Sequence, residues 1–154
     1  MNKKVALLIL IILSLTFSNA RSNNDSMNII SNQLNIEMNE RKSIFTGDVY
    51  AHNEELKVWS DKMIINLKLE KDEIKEILAS GNVKIIRLLA GSEIYGDNAN
   101  YFLEEGIIIV TGNVSVKENG NRIMGDELVV DLKNSSSIMK GTDSNRVEAF
   151  ILGN

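Results

Sequence analysis

The sequence predicts an all-β fold, a stack of long antiparallel strands that each bend once at a corner. Three observations predict it. Apolar and polar residues alternate, a ten-residue string recurs four times, and the connections are too short for parallel crossovers. The first string runs Ile29-Ile30-Ser31-Asn32-Gln33-Leu34-Asn35-Ile36-Glu37-Met38. The others cover 58–67, 94–103 and 123–132, with the common form apolar-x-(Ser/Gly)-(Asp/Asn)-x-apolar-x-apolar-x-apolar. A second string precedes three of them: Thr46-Gly47-Asp48-Val49, Ser80-Gly81-Asn82-Val83 and Thr111-Gly112-Asn113-Val114. From its Gly to the next Asp the spacing is 14, 16 and 14 residues, which is a repeat.

In chain order, residues 1–20 read as a cleaved secretory signal peptide. Lys3 and Lys4 open it, 5–17 are apolar, and Ser18-Asn19-Ala20 supply small residues before a cleavage point. The apolar run is shorter than the ~20 residues a spanning helix needs, so cleavage is favoured over a retained anchor. Residues 21–26 are a polar, flexible lead-in to a single domain over 27–152. Without Lys3 and Lys4, 15 basic and 21 acidic residues leave an exported chain of charge −6.

Within the domain, Leu34, Ile36 and Met38 share one face; so do Phe45, Val49 and Ala51, and Val110, Val114 and Val116. Ile, Val and Thr enrichment agrees with strands. Only the charged stretch 68–76 admits a helical turn, with a hairpin tip as the alternative. In each string the apolar parity changes at the Ser/Gly-Asp/Asn step, so an extra residue or sharp corner is expected there. Structural corners therefore fall at Asn32, Asp61, Asp97 and Asp126, whose side chains can bond nearby backbone N–H groups. Gly47, Gly81 and Gly112 sit at inward parity, where the backbone can approach another sheet. The polar connections 52–55, 104–106, 117–121 and 134–137 suit hairpins. Residues 27–38 at one end and 146–152 at the other are expected to be open edges.

Composition removes most chemistries. With no Cys there are no disulfides, thiolate metal sites or Cys nucleophiles, and one His excludes multi-His metal centres. A net charge of −4 and pI near 5.1 argue against nucleic acid, whose phosphates demand a basic face. His52 beside Glu54 and Glu55 suggests an acid/base pair, but a solvated loop histidine is the simpler reading. The acid ladder at the corners lacks the ligand clusters of a calcium loop. No Ser occupies a nucleophile elbow and no Gly-rich loop opens a helix. Trp59 has outward parity and Tyr101 inward parity among aliphatics. Lys84, Arg87, Lys117 and Arg122 are scattered cations, either solvated or facing an anionic headgroup. No catalytic residue, metal or cofactor is assigned, and the chain is not expected to be an enzyme.

The exported single domain, the (Thr/Ser)-Gly-(Asn/Asp)-Val strings and the Ser/Gly-Asp corners together resemble the OstA/LptA-like family. The motifs that carry this are Phe45-Thr46-Gly47-Asp48-Val49, Ser60-Asp61-Lys62 and Val110-Thr111-Gly112-Asn113-Val114. The resemblance implies an open β-jellyroll in the periplasm whose interior shields the acyl chains of lipopolysaccharide. It also implies partners: an LptC-like inner-membrane protein at the N-terminal edge, an LptD-like outer-membrane protein at the C-terminal edge, and head-to-tail copies of the chain. Inward positions that match the family's lipid contacts are Met27, Ile29, Ile36, Met38, Ile85, Tyr101 and Leu103. Val49, Val58, Ile65, Val83 and Val130 complete the expected lining. Two other readings stand beside the conduit. An LptC-like tethered accessory requires 5–17 as a retained anchor, and a structural β-fibre requires a dry interior.

Overall fold

The computed structural model describes residues 27–152. The signal peptide and the lead-in fall outside the described residues. Ten strands follow: β1 (Asn28–Ile30), β2 (Gln33–Glu37), β3 (Lys42–His52), β4 (Leu56–Leu67) and β5 (Ile74–Arg87). β6 (Ser92–Phe102), β7 (Ile107–Glu118), β8 (Asn121–Asp131), β9 (Ser136–Lys140) and β10 (Glu148–Phe150) complete them. All pairings are antiparallel, in the order β1-β3-β4-β5-β6-β7-β8-β10, with β2 also on β3 and β9 also on β8. From β2 to β9 consecutive strands are neighbours, as connections of two to six residues require. The stretch 68–73 is irregular and links β4 to β5 as a hairpin tip.

β1 with β2, and β9 with β10, each act as one interrupted strand laid along a single partner, so eight strand positions form one sheet. The sheet folds across the middle of its strands into two walls. The first wall holds β1, β10 and the halves 49–52, 56–60, 83–87, 92–96, 114–118 and 121–125. The second holds β2, β9 and the remaining halves.

The fold line is where the register shifts. Thr46 pairs with Lys62 and Val49 with Ser60, so Gly47 and Asp48 oppose Asp61 alone. Ser80/Val83 against Asn98/Gly96, and Thr111/Val114 against Glu127/Gly125, repeat this two-against-one count. The parity change predicts the extra residue at the Ser/Gly-Asp step, but the register places it on the Gly-bearing strand opposite. There both bulge residues are left-handed: Gly81 at φ +77° and Asn82 at +48°, Gly112 at +79° and Asn113 at +49°. Gly and Asn adopt that region at least cost, which explains the residue types.

What approaches these glycines is a carboxylate from the neighbouring strand, not a second sheet. A Cβ at Gly81 would overlap Asp61 Oδ2 and lie 2.8 Å from Asp61 Cβ, and Asp97 covers Gly112 alike. The partners of the corner acids are side-chain amides rather than backbone N–H groups. Asn82 Nδ2 donates to Asp61 Oδ2 at 2.8 Å, and Asn113 Nδ2 to Asp97 Oδ2 at 3.0 Å. At the first corner Asn32 Nδ2 donates to Asp48 Oδ2 at 3.4 Å.

The fourth corner uses another solution. Lys140 opposes Glu127 as Ser80 opposes Lys62, so Gly141 is the fourth Gly position. Five residues, 142–146, then stand where Asn82 stands alone, and Asn145 Nδ2 folds back to donate to Asp126 Oδ1 at 2.5 Å. This insertion hides β9 in the sequence. The C-terminal edge is β9 plus β10, not 146–152 alone, and 134–137 is partly strand.

Candidate functional site

Antiparallel register aligns the inward residues into rows that cross the whole sheet. On the first wall one row reads Ile29, Ala51, Val58, Ile85, Ile94, Val116, Ile123, Ala149. On the second wall one row reads Leu34, Phe45, Met63, Ala79, Ala99, Val110, Leu128, Met139. Beyond it lies Ile36, Ser43, Ile65, Ile77, Tyr101, Ile108, Val130, Ser137. Each row begins on one open edge and ends on the other. The interior is therefore a continuous, largely apolar surface between two edge strands, interrupted by single serines such as Ser43 and Ser137.

Depth divides this surface. Near the fold line the walls touch: a Cβ at Gly96 on the first wall would overlap Val110 Cγ1 on the second. Val49, Val58, Val83 and Ile85, and Ile65 from the outer row, are buried in the protein's own core. Met27, Ile29, Leu103 and Val130 are partly buried and pack against that core. Ile36 and Tyr101 are half-buried in the outer row. Met38 is 49% exposed and sits in the turn after β2. The twelve candidate residues thus split into a set closed within the core and a reachable set at the rims and the N-terminal edge. Period-2 parity assigns a residue to a face and says nothing of its depth.

Few polar groups face inward. Ser60 and Ser92 are buried at 5% and 2% exposure, and among the described residues their hydroxyls find no hydrogen-bond partner. Asp126 Oδ2, at the fourth corner, is likewise buried without a partner among the described residues. Among the described residues no group of His, Asp and Glu is placed to hold a metal ion. His52 stacks on Tyr50 on the outside of the first wall, with 5.1 Å between ring centroids. Lys84 is also outside, its ammonium 5.5 Å from the ring centres of both Trp59 and Tyr95. It faces away from the interior.

The rim of the second wall is tied by ions. Arg41 Nε donates to Lys68 O at 2.8 Å, and its guanidinium pairs with Asp72 Oδ1 at 2.6 Å. Lys42 pairs with Glu37 at 2.7 Å and with Glu40, raising the lysine's pKa and lowering that of Glu40. Lys68 joins Glu73 at 3.2 Å and Glu104 at 3.3 Å, and its pKa is raised in turn. These pairs are solvent-exposed, so they align hairpin tips more than they stabilise the fold.

The folded sheet, the Asx-over-Gly corners and the edge-to-edge apolar interior agree with one family. The family model described as LptA/(LptD N-terminal domain) LPS transport protein matches residues 28–136. The chain belongs to this family. It is an LPS transport protein of LptA type, built as an all-β jellyroll. A solved structure shares the fold, with a TM-score of 0.72 at 13% identity. It covers 82% of this chain and 95% of its own, and is that of LptH from Pseudomonas aeruginosa. LptH is described as the LptA-homologous periplasmic component of the lipopolysaccharide transport device. No curated protein sequence matches the chain.

Proposed function

We propose that the protein is a periplasmic conduit that carries lipopolysaccharide between the membranes, holding the acyl chains against its inward rows. The observation that carries the proposal is the continuity of those rows from one unpaired edge to the other. A ligand in such a lining loses little affinity as it moves from strand to strand. Each buried methylene contributes ~0.8 kcal/mol, so several acyl chains outweigh screened repulsion from an acidic protein. Direction has to come from an energy source elsewhere, because equal affinities along a path shift no equilibrium.

The edges extend the path. If the β5–β6 register continues across a joint, Met139 of one copy meets Leu34 of the next, and Ala149 meets Ile29. Both second-wall and first-wall rows then run on without a break. The N-terminal edge would receive an LptC-like partner and the C-terminal edge an LptD-like partner by the same strand pairing.

A photo-crosslinker at inward Ile36 or Tyr101 should capture lipopolysaccharide, and one at outward Asn35 or Asn100 should not. Equal labelling at both parities would overturn the proposal.

A further inference from the structure

The outer face of the first wall has a composition that the interior does not explain. Two outward rows cross it. Tyr50, Trp59, Lys84 and Tyr95 are successive neighbours in one, and Lys57, Lys117 and Arg122 lie in the other. The rings stand against one another, Tyr50 and Trp59 at 5.0 Å, and the ammoniums fill the remaining faces: Lys84 over Trp59 and Tyr95, Lys117 over Tyr95 at 5.2 Å. With ring faces so used, the surface offers ring edges and ammonium groups outward. It does not offer the bare ring faces on which a sugar stacks.

The charge here is unusual for an acidic protein. Lys57, Lys84, Lys117 and Arg122 make no ion pair among the described residues; on the second wall Arg41, Lys42, Lys68 and Lys140 are paired, while Lys62 and Lys75 are not. The two carboxylates in these rows are Glu93 and Glu148, and Glu93 already accepts a 2.5 Å hydrogen bond from the Tyr95 hydroxyl. At the ends of the face, Phe150 is 62% exposed and Leu89, on the adjoining β5–β6 tip, is 92% exposed. Trp and Tyr with unpaired Lys and Arg, beside exposed large apolar side chains, are the chemistry of a membrane–water interface.

We infer that the outer face of the first wall docks on the surface of a bilayer containing anionic phospholipid, its four cations meeting phosphates while Leu89 and Phe150 enter the headgroup region. Contact is made by the strand face and not tip-first, because Glu54, Glu55 and Glu118 stand in the rim turns or at their edge and would meet the same negative surface. Such docking leaves both edges free for strand pairing and the inward rows free for ligand, so it is independent of the conduit proposal.

The protein carries its own reporter, since Trp59 is the single tryptophan and lies on this face. The chain from Arg21, which holds every strand of the sheet, is titrated with vesicles of phosphatidylglycerol and phosphatidylethanolamine, and separately with phosphatidylcholine alone. Trp59 emission should shift to the blue with the anionic vesicles only, and the shift should weaken as salt rises. Lys84→Gln and Lys117→Gln should each lower partitioning about fivefold, and Leu89→Ser should lower it by a similar or larger factor. Leu69→Ser, on the acidic tip of the second wall where Leu69 is 85% exposed, should leave it unchanged. Absence of binding to the anionic vesicles overturns the inference. So does binding only when lipopolysaccharide is added to them, or equal loss from Leu69→Ser and Leu89→Ser. Far-ultraviolet circular dichroism confirms that each variant keeps its sheet before it is scored.

Discussion

The two walls are made from halves of the same strands, yet they treat water differently. The first wall alternates cleanly, with Ala51, Val58, Ile85 and Ile94 inside and Tyr50, Trp59, Lys84 and Tyr95 outside. The second wall carries an aliphatic band on its outward face as well: Ile44, Ile64, Leu78, Ile109 and Val129 share one outward row, interrupted by Asn100. This row lies between polar rows that hold Lys62, Ser80 and Asn98 on one side and Asn66 and Glu76 on the other. One covalent strand therefore passes from a wall whose outer face is aromatic and cationic to one whose outer face carries an aliphatic band between polar rows, and the bulge at the fold line lets it do so. The bulge uncouples the parity of the two halves, so each wall takes its own pattern. The lesson is that such a strand is two design units joined by an Asx-over-Gly corner.

The strongest test of this division compares faces within the second wall. Met63→Ala removes a side chain 1% exposed at the meeting of the walls and should cost about 2–5 kcal/mol of unfolding free energy. Its outward neighbour Ile64 is half-buried, and Ile64→Ala should cost clearly less. Urea midpoints with an unchanged denaturant slope measure both. Equal losses would mean that the outward row is as buried as the inward one.

The corner itself is tested next. Gly81→Ala puts a methyl group onto the Asp61 carboxylate and a non-glycine residue at φ +77°, so about 2–3 kcal/mol should be lost. Gly91→Ala carries the left-handed cost alone, φ +63° with nothing within 4 Å, and should lose about 1–2 kcal/mol. Thermal midpoints of the pair separate packing from conformation. If Gly91→Ala is the worse of the two, the Asx-over-Gly contact does not hold the fold line.

The smallest expected effect concerns the outside of the first wall. The Tyr95 hydroxyl donates to Glu93 and holds its carboxyl below the ordinary 4.5, with Lys84 and Lys117 adding to the effect. A depressed folded pKa gives stability that is present above the unfolded value and lost as pH falls through the folded one. Tyr95→Phe should therefore slightly lower stability at neutral pH, leave it little changed at the acid end, and so flatten the acid limb below pH 4.5. A steeper acid limb in Tyr95→Phe would reverse the assignment of the bond.

Much of this architecture is legible in the chain, and particular residues show where legibility stops. Asp61 and Asp97 were readable as fold-line residues because the parity of Val58, Met63 and Ile65 changes around Asp61, and that of Ile94, Ala99 and Tyr101 around Asp97, both local facts. The partner amides Asn82 and Asn113 lie 21 and 16 residues further on, and no local pattern ties them to those acids. Gly141 and β9 were missed because the residues 142–146 break the Gly-Asn-Val spacing that exposes the other three. Among the lining candidates, Val83 and Ile36 share inward parity, but one is 2% exposed and the other half-buried on an edge strand.

The sequence by itself determined every strand but β9, the inward parity, the fold line and the kind of fold, because period-2 burial and turn chemistry act between residues near in the chain. Only the tertiary structure decided which strand carries the extra bulge residue and which amide satisfies each corner carboxylate. It also decided which inward side chains are sealed and which cations on the first wall stay unpaired. All of these depend on the register between strands brought together from distant positions, and register is a property of pairs.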